Sequence, residues 1–351
     1  MIIMNNQYIL SQLTNENEIE VFKSMRSDMA TAKALLNEEQ FAQFMHAATI
    51  NQTILNDASF RTMNSTSQVV SSTKITGRVL QNGYKTVTTK NDTTNDNLTP
   101  ADVDFGKAEL VATKLKALTS ILDDDKEDNI EREQFEQTLL TMMGQAVGID
   151  LEAVCVFGDT TYKSSGNPDP LFSCIDGWLK SATTTLKSDG AKGSGTKDFD
   201  LADGITAMFD KMLYTLPQAY RQSNLMKDLV YYVPFEVFKN YRNYLVDRET
   251  GLGDSTLLNN PELEYMGIPV KYAPVLDAAD GRTVHGNVAS ILTVPEFLWF
   301  GVYKEVSVEP KRIPEDEETQ YFYRLRCDAS VEYADSVVVA DITAAEAAAL
   351  L

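Results

Sequence analysis

Two histidines and three cysteines are all that this 351-residue chain offers for histidine- or thiol-based chemistry. A catalytic triad needs a histidine that meets both a nucleophile and a carboxylate, and a zinc site needs several Cys or His ligands, some close in sequence. His46 and His285 stand far apart, and neither has that spacing to a Cys or an Asp. Cys155, Cys174 and Cys327 are odd in number and widely separated, so they read as buried thiols in a reducing compartment. The segment from Gly190 to Lys197 only faintly resembles a phosphate loop. Its order is Gly-Thr-Lys, not Gly-Lys-Thr, and no strand leads into it. Asp123, Asp125 and Glu127 alternate like the start of a calcium loop, but Asp128 stands where glycine is needed and Gln134 where the bidentate Glu belongs. They read instead as solvated acids before a helix. The sequence therefore predicts no catalytic residue, no metal and no cofactor, although a carboxylate pair of the glycosidase kind stays open in so acidic a chain.

Charge is more informative. Lys and Arg number 31 against 51 Asp and Glu, a net charge of −20. Such a surface repels phosphate, so no specific DNA or RNA binding is expected. Within this background, Ser65 to Asn91 carries Lys74, Arg78, Lys85 and Lys90 and no acid. These cations form either a solvated loop or a contact with acids of another chain. The acids best suited are Asp123, Asp125 and Glu131 at the start of a long helix, and Glu315, Glu317 and Glu318 at a turn. No run of 18 apolar residues is present, so no membrane span is expected. Met1 to Leu13 has no basic leader and does not read as a signal peptide.

The elements that position these charges follow from periodicity. Ile130, Phe135, Leu139, Met142, Met143, Ala146, Ile149, Ala153 and Phe157 recur at helical spacing and predict one long helix from Asp128 to Gly158. Gln68 to Leu80 and Tyr84 to Lys90 read as two strands joined at Asn82-Gly83, a preferred hairpin turn. That hairpin holds too few apolar residues for a core, so it either packs on its own body or reaches another chain. Asn91 to Asp104 reads as a polar return loop and Lys107 to Leu122 as a strand or strand-turn. Glu16 to Ile54 is helix-rich, and Met1 to Asn15 reads as an arm needing another surface. From Asp198 to Asp280 the pattern is a compact α/β unit: helix Leu201 to Leu216, strand Leu229 to Val233, helix Phe235 to Arg248 behind Pro234, and a hairpin from Glu264 to Val275 turning near Gly267. Strand-rich sequence closes the chain, with Ala344 to Leu351 as a short tail helix.

This order of elements resembles the major capsid proteins of tailed bacteriophages, the Hong Kong 97 fold. The local patterns that carry the resemblance are Val154-Cys155-Val156-Phe157-Gly158-Asp159 at the end of the helix and Leu263-Glu264-Tyr265-Met266-Gly267-Ile268-Pro269-Val270. The resemblance implies an α+β fold with an N-terminal arm (1–64), an extended loop (65–106) and a peripheral domain with a spine helix (107–160). An axial domain with a connecting loop (161–285) and a return to the peripheral domain (286–351) complete it. It further implies a structural head protein that assembles, as hexamers and pentamers in the host cytoplasm, into an icosahedral or prolate shell enclosing double-stranded DNA. Scaffolding, portal and decoration proteins are the implied further partners, and no membrane is involved. Two departures from relatives are expected: no large scaffolding segment ahead of the arm, and no lysine–asparagine crosslink, because no Asn follows Asn287. A bacterial nanocompartment shell protein of the encapsulin kind is the alternative within this fold, and an acidic carbohydrate-active enzyme the alternative outside it.

Overall fold

The computed structural model describes residues 52–76, 102–122, 135–188, 197–221, 225–246, 263–303, 307–315 and 317–350. In chain order these form α1 (Ile54–Asp57), β1 (Ser59–Met63), β2 (Ser67–Thr76), β3 (Asp102–Val111), β4 (Thr113–Leu122) and the long helix α2 (Phe135–Phe157). A minor hairpin, β5 (Lys163–Ser164) with β6 (Asn167–Pro168), precedes α3 (Trp178–Ser181), β7 (Thr184–Lys187), α4 (Ile205–Thr215), β8 (Val230–Val233) and α5 (Phe235–Val246). The remainder is β9 (Leu263–Tyr265), β10 (Ile268–Tyr272), α6 (Ala279–His285), β11 (Val288–Thr293), β12 (Leu298–Tyr303), β13 (Ser307–Ile313), β14 (Glu318–Val331), β15 (Val338–Ile342) and α7 (Ala344–Ala349).

The 23 residues of α2 span about 35 Å at ~1.5 Å per residue. Its C-terminal turns are the most buried, with Leu151 and Val154 to Phe157 all in the core. Gly158 follows at once, its N–H donating to the Val154 carbonyl at 2.8 Å. The expected start at Asp128 lies outside the described residues. Two turns in from its first residue the helix meets β4, where the Thr119 hydroxyl donates to Met143 Sδ at 3.0 Å.

β14 organises the sheet beneath this helix. Its 14 residues alternate inward and outward, with Tyr321, Tyr323, Leu325, Cys327, Ala329 and Val331 buried. One edge pairs with β4, and the other pairs first with β13 and then with β12, to which β1 adds in parallel. A second, mixed sheet runs in the order β7-β15-β11-β8-β10-β9 and is covered by α4 and α5. The β9–β10 turn is Met266-Gly267, with φ of 52° and 78°, the doubly left-handed geometry of a two-residue hairpin. Pro234 directly precedes α5, as proline prefers.

Three sequence expectations change. The partner of β2 is β3, running from Ser67 opposite Val111 to Thr76 opposite Asp102. A two-residue turn at Asn82-Gly83 would instead set Thr76 opposite Thr89, so that turn does not join these two strands. The last three residues of the expected return loop, Asp102 to Asp104, are thus strand, and the rest of it lies outside the described residues. Second, Lys107 to Leu122 divides at Ala112 between two sheets: β3 goes with β2, and β4 goes with β14. Third, of the closing segment expected to return to the body with the long helix, β12, β13 and β14 do so, whereas β11 and β15 enter the six-stranded sheet. Every residue of β11 and of β15 is buried, and such strands fit only the interior of a sheet covered on both faces.

Candidate assembly surfaces

The β2–β3 ribbon is ten residues long, about 33 Å, and carries no third strand among the described residues. Its foot is fixed to the body. Val111 N–H donates to the Asp328 carboxylate at 2.7 Å, Ala112 N–H donates to the Thr66 carbonyl at 2.8 Å, and Leu110 is fully buried. Leu110 fits there because Gly301 has no side chain; a Cβ at Gly301 would sit 3.0 Å from the Leu110 methyl and 3.1 Å from Met63 sulfur. Burial pushes the Asp328 carboxyl up to about 6, with Asp176 and Glu109 adding to the rise against the opposing hydrogen bonds from Val111 and Ala329.

The ribbon is less basic than the sequence segment suggested. Lys74 stands opposite Asp104, and β3 brings Asp102, Asp104 and Glu109 alongside. Arg78, Lys85 and Lys90 lie outside the described residues, as do Asp123, Asp125 and Glu131. The acids that are described form one end of the five-stranded sheet. Glu318 opens β14 and pairs with both Ile313 and Leu122, while Glu315 and Glu317 are exposed in the turn before it. Glu317 takes a left-handed φ of 49°.

Polar side chains described within the body tie its elements together. His285 meets Asp341 at 2.7 Å, a pair hidden in the sequence because 56 residues separate them. Among the described residues no serine or cysteine hydrogen-bonds to that ring, so the pair ties α6 to β15 and is no triad. Lys180 bridges Asp159 and Asp176, both at 2.7 Å, across the turn after α2. Burial raises both carboxyls, but the bonds from Lys180 and from Thr161 or Thr160 outweigh it and hold them below the usual range. Arg282 grips Glu236 with both guanidinium nitrogens at 2.8 and 2.9 Å and adds Asp277 at 2.7 Å, joining α6 to α5. Cys155, Cys174 and Cys327 are free thiols, the first and last fully buried. Among the described residues no group of three His, Cys, Asp or Glu side chains could hold a metal ion, and no helix is long and apolar enough to cross a membrane.

No family model matches the chain. The sequence is 23% identical over 295 residues to YqbE of Bacillus subtilis strain 168, assigned as a prophage capsid protein, covering 83% of this chain and 87% of the relative. Among solved structures, a chain of the satellite phage P4 procapsid that includes the size determination protein superimposes with a TM-score of 0.61 at 13% identity, covering 94% of this chain and 98% of that one. The capsid of a native GTA particle gives a TM-score of 0.53 at 14% identity, covering 85% and 91%. A structure from Mycobacterium phage Adephagia gives 0.51 at 12% identity, covering 83% and 89%. The fold, helix and strand in similar measure, is that of tailed-phage capsid shells of the Hong Kong 97 type.

Proposed function

We propose that this chain is a major capsid protein of the tailed-phage kind, a structural subunit that assembles with copies of itself into a shell enclosing double-stranded DNA. One observation carries the reading. A sequence relationship to a prophage capsid protein and fold matches to assembled phage and GTA shells each span more than four-fifths of the chain. Two features of the molecule agree with it. A long two-stranded ribbon leaves the body without a third strand, and the described side chains hold no catalytic constellation. A structural, non-enzymatic subunit of a virion follows from this reading. It includes pentamers and hexamers as building units, assembly in the host cytoplasm, and scaffolding, portal and decoration proteins as further partners. Packaged DNA is enclosed without specific binding, as the charge of −20 favours.

In this reading Lys74, Arg78, Lys85 and Lys90 of the extended loop lie against Asp123, Asp125 and Glu131, or against the Glu315, Glu317 and Glu318 turn, of a neighbouring copy. Each exposed pair contributes only ~0.2–1 kcal/mol, so the repetition over many copies, not any one contact, gives the sum weight. The test is electron microscopy and sedimentation of the purified protein at low and physiological salt. Closed particles or uniform ring-sized oligomers are expected; a protein that stays monomeric in every condition would overturn the reading. Lys74→Glu with Lys85→Glu should leave the subunit folded and impair assembly most at low salt, where screening is weak.

A further inference from the structure

Among the described residues, two tight hairpins turn on a left-handed residue followed by glycine. β5 and β6 are joined by Ser165-Gly166, with φ of 51° and 85°, and β9 and β10 by Met266-Gly267, with φ of 52° and 78°. Asn, Asp and Gly take the first of these positions with least strain, because they are small or can bond the local backbone. Ser165 is small and polar. Met266 is neither, and it is 62% exposed. A Cβ on Gly267 would meet no described atom within 4 Å, so the tip projects. A long apolar side chain on a projecting, left-handed turn brings the free subunit no gain.

The same corner of the molecule holds a receptacle. Tyr265, beside Met266, donates its hydroxyl to Asp210 of α4 at 2.6 Å. One helical turn on, Tyr214 is 75% exposed, with the Arg221 guanidinium 5.8 Å from its ring centre. Asp210 and Tyr214 line a groove of about 710 Å³ whose apolar walls are Phe199, Leu213 and Met226. Acids stand at this groove, but they bind within the fold. Asp198 accepts the Lys187 N–H at 3.0 Å, Asp200 accepts the Ala202 N–H at 3.1 Å and pairs with Lys197 at 3.2 Å, and Asp210 holds Tyr265. The groove therefore suits a neutral, apolar guest better than a cation. Methionine is such a guest: its unbranched thioether fills irregular apolar gaps and packs well at ring edges.

We propose that the Met266 side chain of one copy inserts into this groove of a second copy, beside Phe199 and Tyr214. The proposal rests on the shell reading above and adds a specific contact to it. Tip and groove adjoin at the Tyr265–Asp210 bond, so two copies related by a two-fold axis engage both pairs at once. Burial of the thioether in the contact then offsets the strain of the turn, and Tyr and Met are the residue types that interface centres favour.

Hydrogen peroxide reads the contact, because it converts accessible thioethers to sulfoxides. In the unassembled subunit Met266 should oxidise about as fast as Met142, which is also 62% exposed, while the fully buried Met208 and Met212 resist. In particles, peptide mass spectrometry should show Met266 oxidising about fivefold more slowly or less. Met266→Asn suits the turn, so the unassembled variant should melt at or above the wild-type temperature; its particle yield should fall on the order of tenfold. Met266→Leu should keep most of the yield. Tyr214→Ser, at the rim of the groove, should lower the yield and leave the melting temperature unchanged. Wild type that forms no particles would remove the shell reading itself. If wild type assembles but Met266 oxidises as fast in particles as in the subunit, or Met266→Asn assembles as readily as wild type, the contact is refuted while the shell reading stands. Full yield from Tyr214→Ser would equally rule out the groove as the receiving site. Should the Asn variant fail to fold, the oxidation of wild-type particles still decides.

Discussion

The Asp328 carboxylate accepts the backbone N–H of Val111 at 2.7 Å, joining positions 217 residues apart. It is the bond that holds the last residue of β3 against β14 at the foot of the ribbon. Burial lifts that carboxyl to about 6 from its ordinary 3.8, with Asp176 and Glu109 adding repulsion. The fold therefore binds the proton more tightly than the unfolded chain does. The stability this group contributes is full below about pH 4 and is lost as pH rises through 6. Asp328→Asn keeps an acceptor for Val111 while removing the charge. At pH 7.5 the variant should be more stable than wild type by on the order of 1 kcal/mol, a figure discounted because the group is partly solvated. Below pH 4 the two should converge. Thermal melts of the unassembled subunit from pH 3.5 to 8 check this, and parallel profiles would remove Asp328 as the cause.

Glu152 lies 3% exposed on α2, and its carboxylate accepts the N–H groups of Ile54 at 2.7 Å and Leu55 at 3.2 Å. It thereby caps α1, which has no side-chain cap of its own. Glu152→Ala would leave two buried N–H groups without a partner and should cost about 2–4 kcal/mol. Glu152→Gln keeps one acceptor oxygen and should lose less than half as much. Urea midpoints of the two variants decide it; equal losses would mean that packing, not capping, sets the cost.

What was legible in the sequence is what local pattern determines. The apolar stripe from Phe135 to Phe157, Pro234 ahead of α5 and the Met266-Gly267 turn each reside within a few residues of chain, and each is found where its pattern falls. Pairing over distance leaves no such mark. Asn82-Gly83 is a strong local signal, yet the register of β2 with β3 follows a different closure. The break at Ala112 is equally silent, because strand sequence continues on both sides. The contacts His285–Asp341, Glu152–Ile54 and Tyr265–Asp210 become visible only once distant strands and helices are set side by side.

Thiol reactivity should separate the three cysteines. Cys155 and Cys327 are fully buried, and burial raises both thiols far above the range in which thiolate forms at neutral pH. Cys174 is half-buried, and its milder rise comes from partial burial and from Asp169. In the native subunit at pH 8 a disulfide reagent should modify Cys174 alone, and slowly, with the other two reacting after denaturation. Rapid labelling of Cys155 in the native protein would show that the end of α2 opens far more readily than its packing implies.

Gly158 and Gly177 fix the end of α2 by backbone contact. Gly177 N–H donates to the Gly158 carbonyl at 2.8 Å. A Cβ on Gly158 would lie 2.4 Å from the Ile175 carbonyl oxygen and 2.6 Å from that of Val154; one on Gly177 would lie 2.7 Å from both Gly158 N and Val156 O. All of these neighbours are main chain, inside the best-buried part of the body, so no side chain can turn aside to make room. Relief would require the helix end and the Ile175–Gly177 turn to separate, breaking the Lys180 bridge between Asp159 and Asp176 as well. Gly158→Ala and Gly177→Ala should therefore each cost about 3 kcal/mol or more, at or beyond the upper end for overpacking. Gly166 is the control. Its φ is 85°, but no atom lies within 4 Å of where a Cβ would be, so Gly166→Ala should cost only the ~1–2 kcal/mol of a left-handed residue. Urea unfolding of the three alanine variants orders them; a Gly158→Ala protein as stable as Gly166→Ala would show that the two segments can move apart freely.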